Sequence, residues 1–284
     1  MTEGTSTAET TTASVTAPPS SQAGLTALWC PLAFLSSVCG IGGGLFAVPL
    51  LHYVGKREIK RSVATSTVLV LVLSFTGTLA EALQRSPNFI WPTIGALGLG
   101  GWFGAHAGFW ASKRVDGRAI KRVFVFVLLF SAYRVLAVSS PEDLAASADA
   151  HSLDVLHVLI VLVIGFGGGF IAPILGVGGG LLVVPALYLS FPSLSILEAR
   201  ACSVAMTILT SGQSAYLHWR SGAVDARGLA WLAPATVAAS TLGVFMVHRP
   251  GWAEFARVAL GCVLVLVAAR FAWDAFRPAP TRAD

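Results

Sequence analysis

Charged residues are scarce in this sequence. Asp, Glu, Lys and Arg together make up 12% of its 284 residues, whereas about 25% is usual in a soluble domain. Hydrophobic residues make up 55%, and the mean hydropathy is +0.74. Too few polar groups remain to cover a soluble surface. The composition therefore predicts an all-α polytopic membrane protein, and it excludes an ordinary cytosolic enzyme and a nucleic-acid-binding domain.

Cysteine is also scarce, and no two cysteines are spaced as a CxxC pair. The four cysteines all fall within apolar runs: Cys30, Cys39, Cys202 and Cys262. This pattern excludes a secreted disulfide scaffold and gives no indication of a metal site, so we expect no cofactor.

Basic residues are absent from the first 24 positions. This segment is rich in Thr, Ser and Ala, and its charges are Glu3 and Glu9. Such a composition cannot bury apolar surface and predicts a disordered tail. A cleavable signal peptide would begin with basic residues, which this segment lacks.

The long apolar runs predict about eight transmembrane spans, because one span needs about 20 residues. Glycines interrupt two of the runs. The runs cover residues 25–54, 62–83, 89–111, 119–138, 152–189, 195–219, 228–247 and 252–276. We divide the chain into a tail (1–24), a first transmembrane repeat (25–138), an external linker (139–151), a second repeat (152–276) and a C-terminal tail (277–284).

Basic residues in the loops predict the orientation in the membrane. Clusters occur at Lys56–Arg61 and Lys113–Arg122, whereas the N-terminal tail and residues 139–151 contain no Lys or Arg. Since basic loops stay in the cytoplasm, the N-terminus is predicted to be external, that is, periplasmic. Arg220 and Arg227 do not fit this scheme, because their loop should then be external as well.

Two segments 136 residues apart resemble each other closely. CGIGGGLFAVPLL at 39–51 and LGVGGGLLVVPAL at 175–187 share their glycines and proline, and the Ala64-Thr65-Ser66 and Ala201-Cys202-Ser203 triplets align after one inserted residue. An interrupted helix at the same point of two halves is typical of secondary transporters. Four spans in each half would make the halves parallel; a re-entrant stretch would make them inverted.

The glycine segments are candidate binding sites for an anion. Three glycines in a row destabilise a helix, and unpaired backbone groups cannot face lipid, so each segment must be enclosed in protein or line a wet cavity. Free N–H groups at the start of the next half-helix attract negative charge. The alternative is that the glycines serve close helix packing. The candidate residues are Gly42, Gly43, Gly44, Pro49, Gly178, Gly179, Gly180 and Pro185.

These motifs resemble the TauE/SafE sulfite exporter family, also called the sulfonate permease family. The resemblance rests on the doubled GxGGG segments with Pro49 and Pro185 and on Ala64-Thr65-Ser66, and it extends over nearly the whole chain after the tail. It implies a transporter of small sulfur-containing anions, such as sulfite or organosulfonates, in the bacterial inner membrane. Its expected partners are therefore the anion, the lipid bilayer and a possible coupling proton, and not nucleic acid.

Four further residues are candidates for contact with the substrate. Thr65, Ser66 and Ser203 carry hydroxyl groups that can donate to substrate oxygens, or equally to their own helix backbone. Cys202 stands where the family usually has Thr, and a thiol is the weaker donor. We therefore expect the two halves to contribute unequally, with Thr65 mattering more than Cys202.

Three ionisable residues within the spans are candidates for proton coupling or anion guidance, since such residues are costly in a membrane. Each has a structural alternative. Glu81 can pair with Arg85, Arg134 can extend to the interface, and His106 can bond to a neighbouring helix.

Two other classes of function compete with transport. A membrane scaffold or assembly factor would have the same apolar composition as a transporter. An intramembrane enzyme is suggested by Ser211 and His218, but seven residues on one helix separate their side chains by about two turns. We therefore expect a protein that is not an enzyme.

Overall fold

The computed structural model describes residues 19–39, 43–83, 89–137, 155–191, 194, 196–247 and scattered positions between 258 and 273. Helices account for 89% and strands for none of the described residues, because a helix satisfies its own backbone groups in an apolar run. The helices are α1 (Pro19–Cys39), α2 (Gly44–Pro49, continued by a π-helical turn, Leu50–Val54), α3 (Ile59–Leu83), α4 (Trp91–Arg114), α5 (Gly117–Ala137), α6 (Val155–Leu175), α7 (Gly180–Ser190), α8 (Ile196–Arg220) and α9 (Ala226–Val247).

Among the described residues, three helical stretches are long and apolar enough to cross a membrane: Ile59–Leu83, Val155–Leu175 and Gly228–Met246. The predicted all-α class is confirmed for the described residues, and the count of eight spans in two homologous halves stays a prediction. The predicted tails and the linker lie largely outside the described residues.

Two ion pairs define the two ends of the helix bundle. At the first, which we call the Arg57 end, Arg57 pairs with Asp225. At the second, the Glu81 end, Arg200 lies 4.0 Å from Glu81. Since Arg57 precedes α3 and Glu81 lies near its end, α3 runs from the Arg57 end to the Glu81 end.

The first glycine-interrupted stretch forms a hairpin. The Trp29 indole donates to the Thr236 hydroxyl at 2.8 Å, and further along both helices Ser37 donates to the Ser240 carbonyl at 2.9 Å. Helix α1 is therefore parallel to α9 and begins at the Arg57 end. After α2 the chain returns there, because the His52 ring donates to the Arg57 carbonyl at 2.8 Å.

This hairpin differs from the predicted orientation. The loop charges predicted a crossing that separates Leu25 from the Lys56–Arg61 cluster. In the structure the start of α1 and that cluster lie at the same end, since α1 runs away from the Arg57 end and α2 runs back towards it. Residues 19–24 of the predicted disordered tail form the start of α1, and residues 1–18 lie outside the described residues.

The second interrupted stretch is a hairpin of the opposite sense. Helices α4 and α6 run parallel, with Gly100 against the Leu162 carbonyl and Gly104 against the Phe166 carbonyl. Both run from the Glu81 end, where α4 begins. Helix α7 then returns, since Phe191 stacks on His157 with ring centroids 4.0 Å apart. The two hairpins therefore enter the bundle from opposite ends.

We predict that Gly104→Ala destabilises the protein. Its methyl group would overlap the Phe166 carbonyl and lie 2.8 Å from the Phe170 nitrogen, so α4 and α6 must move apart. We expect a loss of about 1–3 kcal/mol, measured by thermal unfolding of the purified protein in detergent.

The matched control is Gly95→Ala on the same helix, where an added methyl meets nothing within 4 Å. It should leave the melting temperature unchanged or raise it, because Ala favours a helix over Gly. Equal stability of the Gly104 and Gly95 variants would contradict the close contact between α4 and α6.

Candidate functional site

The two glycine segments adopt the same local conformation. Gly43 has φ 71° and ψ −28°, and Gly179, its counterpart in the repeat, has φ 82° and ψ −23°. This left-handed region suits glycine, since it has no Cβ. The carbonyl of each of these glycines accepts hydrogen bonds from the N–H groups three and four residues later. In the first segment the Gly43 oxygen lies 3.2 Å from the nitrogens of Phe46 and Ala47. Both glycines thus initiate a short helix, α2 or α7, inside the bundle.

The segments also touch each other. A methyl group on Gly44 would overlap the Gly176 carbonyl and lie 2.6 Å from the Val177 Cα. On Gly179 it would lie 2.6 Å from the Gly168 carbonyl oxygen. In this conformation the glycines therefore allow close backbone packing, which was the alternative to anion binding. Substrate contact at these glycines stays a prediction.

Hydroxyl groups satisfy the carbonyls of the second segment. Ser66 donates to the Gly176 carbonyl at 2.9 Å and shares its hydrogen with the Val63 carbonyl of its own helix at 2.8 Å. Thr210 is shared in the same way between the carbonyls of Gly178 at 3.2 Å and Thr207 at 3.3 Å, and Ser203 donates to Gly180 at 3.4 Å. The first of these bonds joins the two halves. Ser66 and Ser203 were expected near the glycine segments and lie there; Thr210 was missed, although its place two turns after Ser203 signals the same helix face.

Thr65 and Cys202 align in sequence but lie in different surroundings. The Thr65 hydroxyl accepts from the Asp225 N–H at 3.1 Å, at the Arg57 end. The Cys202 thiol is buried near the start of α4, with its sulfur 4.0 Å from the Ile90 carbonyl. The structure thus does not bring these two side chains together, and their contact with a substrate stays a prediction.

The prolines follow the glycines inside the helices. Pro49 closes α2, and the wider π-helical turn follows it, consistent with the missing N–H of proline. Pro185 lies within α7, although its side chain is outside the described residues, as is all of Gly42. Gly180 is the first residue of α7.

The three ionisable candidates lie apart from one another. His106 is exposed on α4; its ring accepts from Trp110 at 3.2 Å and lies 3.5 Å from the Gln213 amide. Arg134 lies in α5, and its side chain is outside the described residues. Glu81 is 6% exposed and faces Arg200. Its expected partner, Arg85, is also outside the described residues.

Arg200 is the principal residue that the sequence analysis missed. Its guanidinium donates to the Ser37 carbonyl at 2.9 Å and lies 4.0 Å from Glu81. Its position near the start of an apolar run, two residues before Cys202, could have identified it, because a charged residue within a span indicates a functional role.

Ser211 and His218 have separate partners. Ser211 donates to the carbonyl of Thr207, one turn earlier on α8. The His218 ring donates to the Pro173 carbonyl at 3.2 Å and meets the edge of Phe109.

A comparison with protein families identifies the chain. It matches the family described as Sulfite exporter TauE/SafE over residues 6–135 and 161–283. The chain belongs to this family. The two stretches that match the TauE/SafE family contain both glycine segments. Family membership supports a role as a membrane transporter.

Curated relatives carry the same general description. The chain is 29% identical over 186 residues to Probable membrane transporter protein MJ0441 of Methanocaldococcus jannaschii, a match of 62% of this chain and 64% of that protein. It is 29% identical over 217 residues to Probable membrane transporter protein YunE of Bacillus subtilis, covering 67% and 76%. A match to Probable membrane transporter protein MamO of Paramagnetospirillum magneticum, at 29% identity, covers 44% of this chain and 20% of that protein. No solved structure matches the chain.

We predict that Ser66→Ala destabilises the junction between the hairpins. The buried carbonyl of Gly176 would lose the hydroxyl that reaches it from α3, at a cost of about 1–3 kcal/mol. Thermal unfolding in detergent measures this loss.

Ser112→Ala is the matched control, since Ser112 donates only within its own helix, to the Phe109 carbonyl at 2.7 Å. We expect a change within about 0.5 kcal/mol. A Ser66 variant as stable as this control would show that the cross-half bond contributes nothing measurable.

Proposed function

We propose that this transporter is a secondary exporter of small sulfur-containing anions, such as sulfite or organosulfonates, across the bacterial inner membrane. The observation that carries the proposal is the meeting of two glycine hairpins that enter the bundle from opposite ends. Interrupted helices that meet inside a membrane protein are the usual binding elements of secondary transporters. The family description supports the choice of substrate class.

The helix starts inside the bundle favour an anion as substrate. The left-handed Gly179 lies directly before the first residue of α7, and Gly43 precedes α2 in the same way. The N-terminus of a helix carries a partial positive charge. When the two segments separate, their N–H groups and the neighbouring hydroxyls of Ser66 and Ser203 would face the space between them. We propose that the substrate binds there.

The opposed hairpins also provide a route to alternating access. We propose that the halves form an inverted repeat, so that each end of the bundle has one hairpin that can open towards it. A possible coupling proton remains part of this proposal, with His106 and Glu81 as candidate carriers.

The Arg57 end is proposed to be cytoplasmic. The loop with Arg220 and Arg227, which contradicted the orientation predicted from the charges, joins that end through the ion pair of Asp225 with Arg57. Lys113 and Arg114, at the end of α4, lie there too. The basic residues then follow the positive-inside rule, and the start of α1 is cytoplasmic.

Transport in proteoliposomes tests the function directly. We expect vesicles that contain the protein to accumulate sulfite or methanesulfonate faster than empty vesicles, and to accumulate chloride no faster. A folded protein that moves none of a panel of sulfite, thiosulfate and sulfonates would favour a scaffold or assembly role.

Cysteine labelling tests the orientation. In a variant without native cysteines, Glu58→Cys and Ser221→Cys place thiols at the Arg57 end, and Ser190→Cys places one at the Glu81 end; all three positions are exposed. An impermeant maleimide added to intact cells should label Ser190→Cys alone. Labelling of Glu58→Cys and Ser190→Cys from the same side would contradict the hairpin topology.

A further inference from the structure

A cavity lies between α1, α3 and α8 at the Glu81 end, away from the contact between Gly44 and Gly176. It is a small, partly open pocket with a volume of about 20 Å³, enough for roughly one water molecule. Its lining includes Ser37, Leu73, Gly77, Thr78, Glu81 and Arg200. An anion larger than water therefore fits only when the side chains of its wall move apart.

Opposite charges meet in the wall of this cavity. The side chains of Arg200 and Glu81 are 11% and 7% exposed, and a guanidinium nitrogen lies 4.0 Å from a carboxylate oxygen. At this distance the charges attract, but these two atoms are too far apart for a direct hydrogen bond. A guanidinium always carries its charge and presents a planar fork that matches oxyanions. The wall therefore offers a fixed positive charge together with a competing carboxylate.

Stability alone does not explain this ion pair. Burying two charges costs several kcal/mol per ion, and well-packed apolar residues are often as stable or more stable in the same place. Ionisable residues within membrane spans therefore indicate function by default. Here they also line a pocket, together with Thr78.

A hydroxyl group and one shared side chain strengthen the case. The Thr78 hydroxyl oxygen is buried, lines the same cavity and has no hydrogen-bond partner among the described residues. Leu73 separates the cavity from the first glycine segment, since a methyl group on Gly43 would lie 2.8 Å from its Cδ1. The cavity is thus one side chain away from the proposed substrate path.

We propose that this cavity is a binding site for a small oxyanion, in which Arg200 binds the anion, Thr78 donates a hydrogen bond and the Glu81 carboxylate competes with the anion for Arg200. The inference rests on the proposed function and extends it, because it adds an anion site at the Glu81 end. An arriving oxyanion displaces the carboxylate from Arg200, and its departure restores the ion pair.

Anion binding to the purified protein, measured by calorimetry with sulfite and with methanesulfonate, tests the site. Glu81→Gln keeps the shape of the side chain and removes the competing charge, so we expect binding to become about tenfold tighter than in wild type. Arg200→Gln alone would remove the neighbouring positive charge from the buried Glu81 carboxylate, which is strongly destabilising. We therefore use the double variant Glu81→Gln/Arg200→Gln, in which both charges are gone.

The double variant should bind each anion about ten- to a hundredfold more weakly than Glu81→Gln does, as expected when a hydrogen-bonded charge is lost. Arg220→Gln is the matched control on the same helix: Arg220 is exposed at the Arg57 end, over the Tyr216 ring. Its affinity should equal that of wild type. Equal affinities of Glu81→Gln and the double variant would overturn the site, as would weaker binding by Glu81→Gln than by wild type.

Uptake into proteoliposomes separates this inference from the proposed function. If wild type transports sulfite and the double variant binds and transports like Glu81→Gln, the transport proposal stands and the cavity site is wrong. If the variants change affinity as expected while wild type moves no anion, the site stands and the transport proposal is wrong. Absence of binding by both wild type and Glu81→Gln would overturn the site.

Discussion

The hydrogen bonds between side-chain hydroxyls and the carbonyls of the second glycine segment are the interaction on which the centre of this bundle depends. An interrupted helix leaves backbone oxygens without their usual partners, and lipid offers none. Ser66, Thr210 and Ser203 each supply one donor to that segment. Because Ser66 belongs to the other half, the bond that completes one hairpin also fixes its position against its counterpart.

The sequence predicted where the helices are interrupted, but it did not predict the course of the chain after each interruption. The spacing of Gly43 and Gly179 within a repeated motif predicted equivalent breaks, and both residues have the left-handed conformation. The direction depends on whether the chain continues or reverses at the break, and both outcomes leave the same apolar run. Only long-range contacts, such as that of Trp29 with Thr236, show that it reverses.

The sequence predicted some residues of the candidate site and missed the surroundings of others. The repeat placed Ser66 and Ser203 near the glycines, but it could not show that Thr65 faces a distant loop while Cys202 lies beside α4. Alignment describes equivalent positions, whereas hydrogen bonding depends on what packs opposite each one. Arg200 was missed for that reason, because its contacts are with Glu81 and Ser37, which lie on two other helices.

The glycine contacts between α4 and α6 restrict how the protein can change shape. At Gly100, Gly104 and Gly108 the backbone of one helix lies directly against carbonyls of the other, with no layer of side chains between them. Helices usually slide past each other by small adjustments of such a layer. Without that layer we expect α4 and α6 to move as one rigid body across the boundary between the halves, which leaves α7 and the first hairpin as the parts that are free to open.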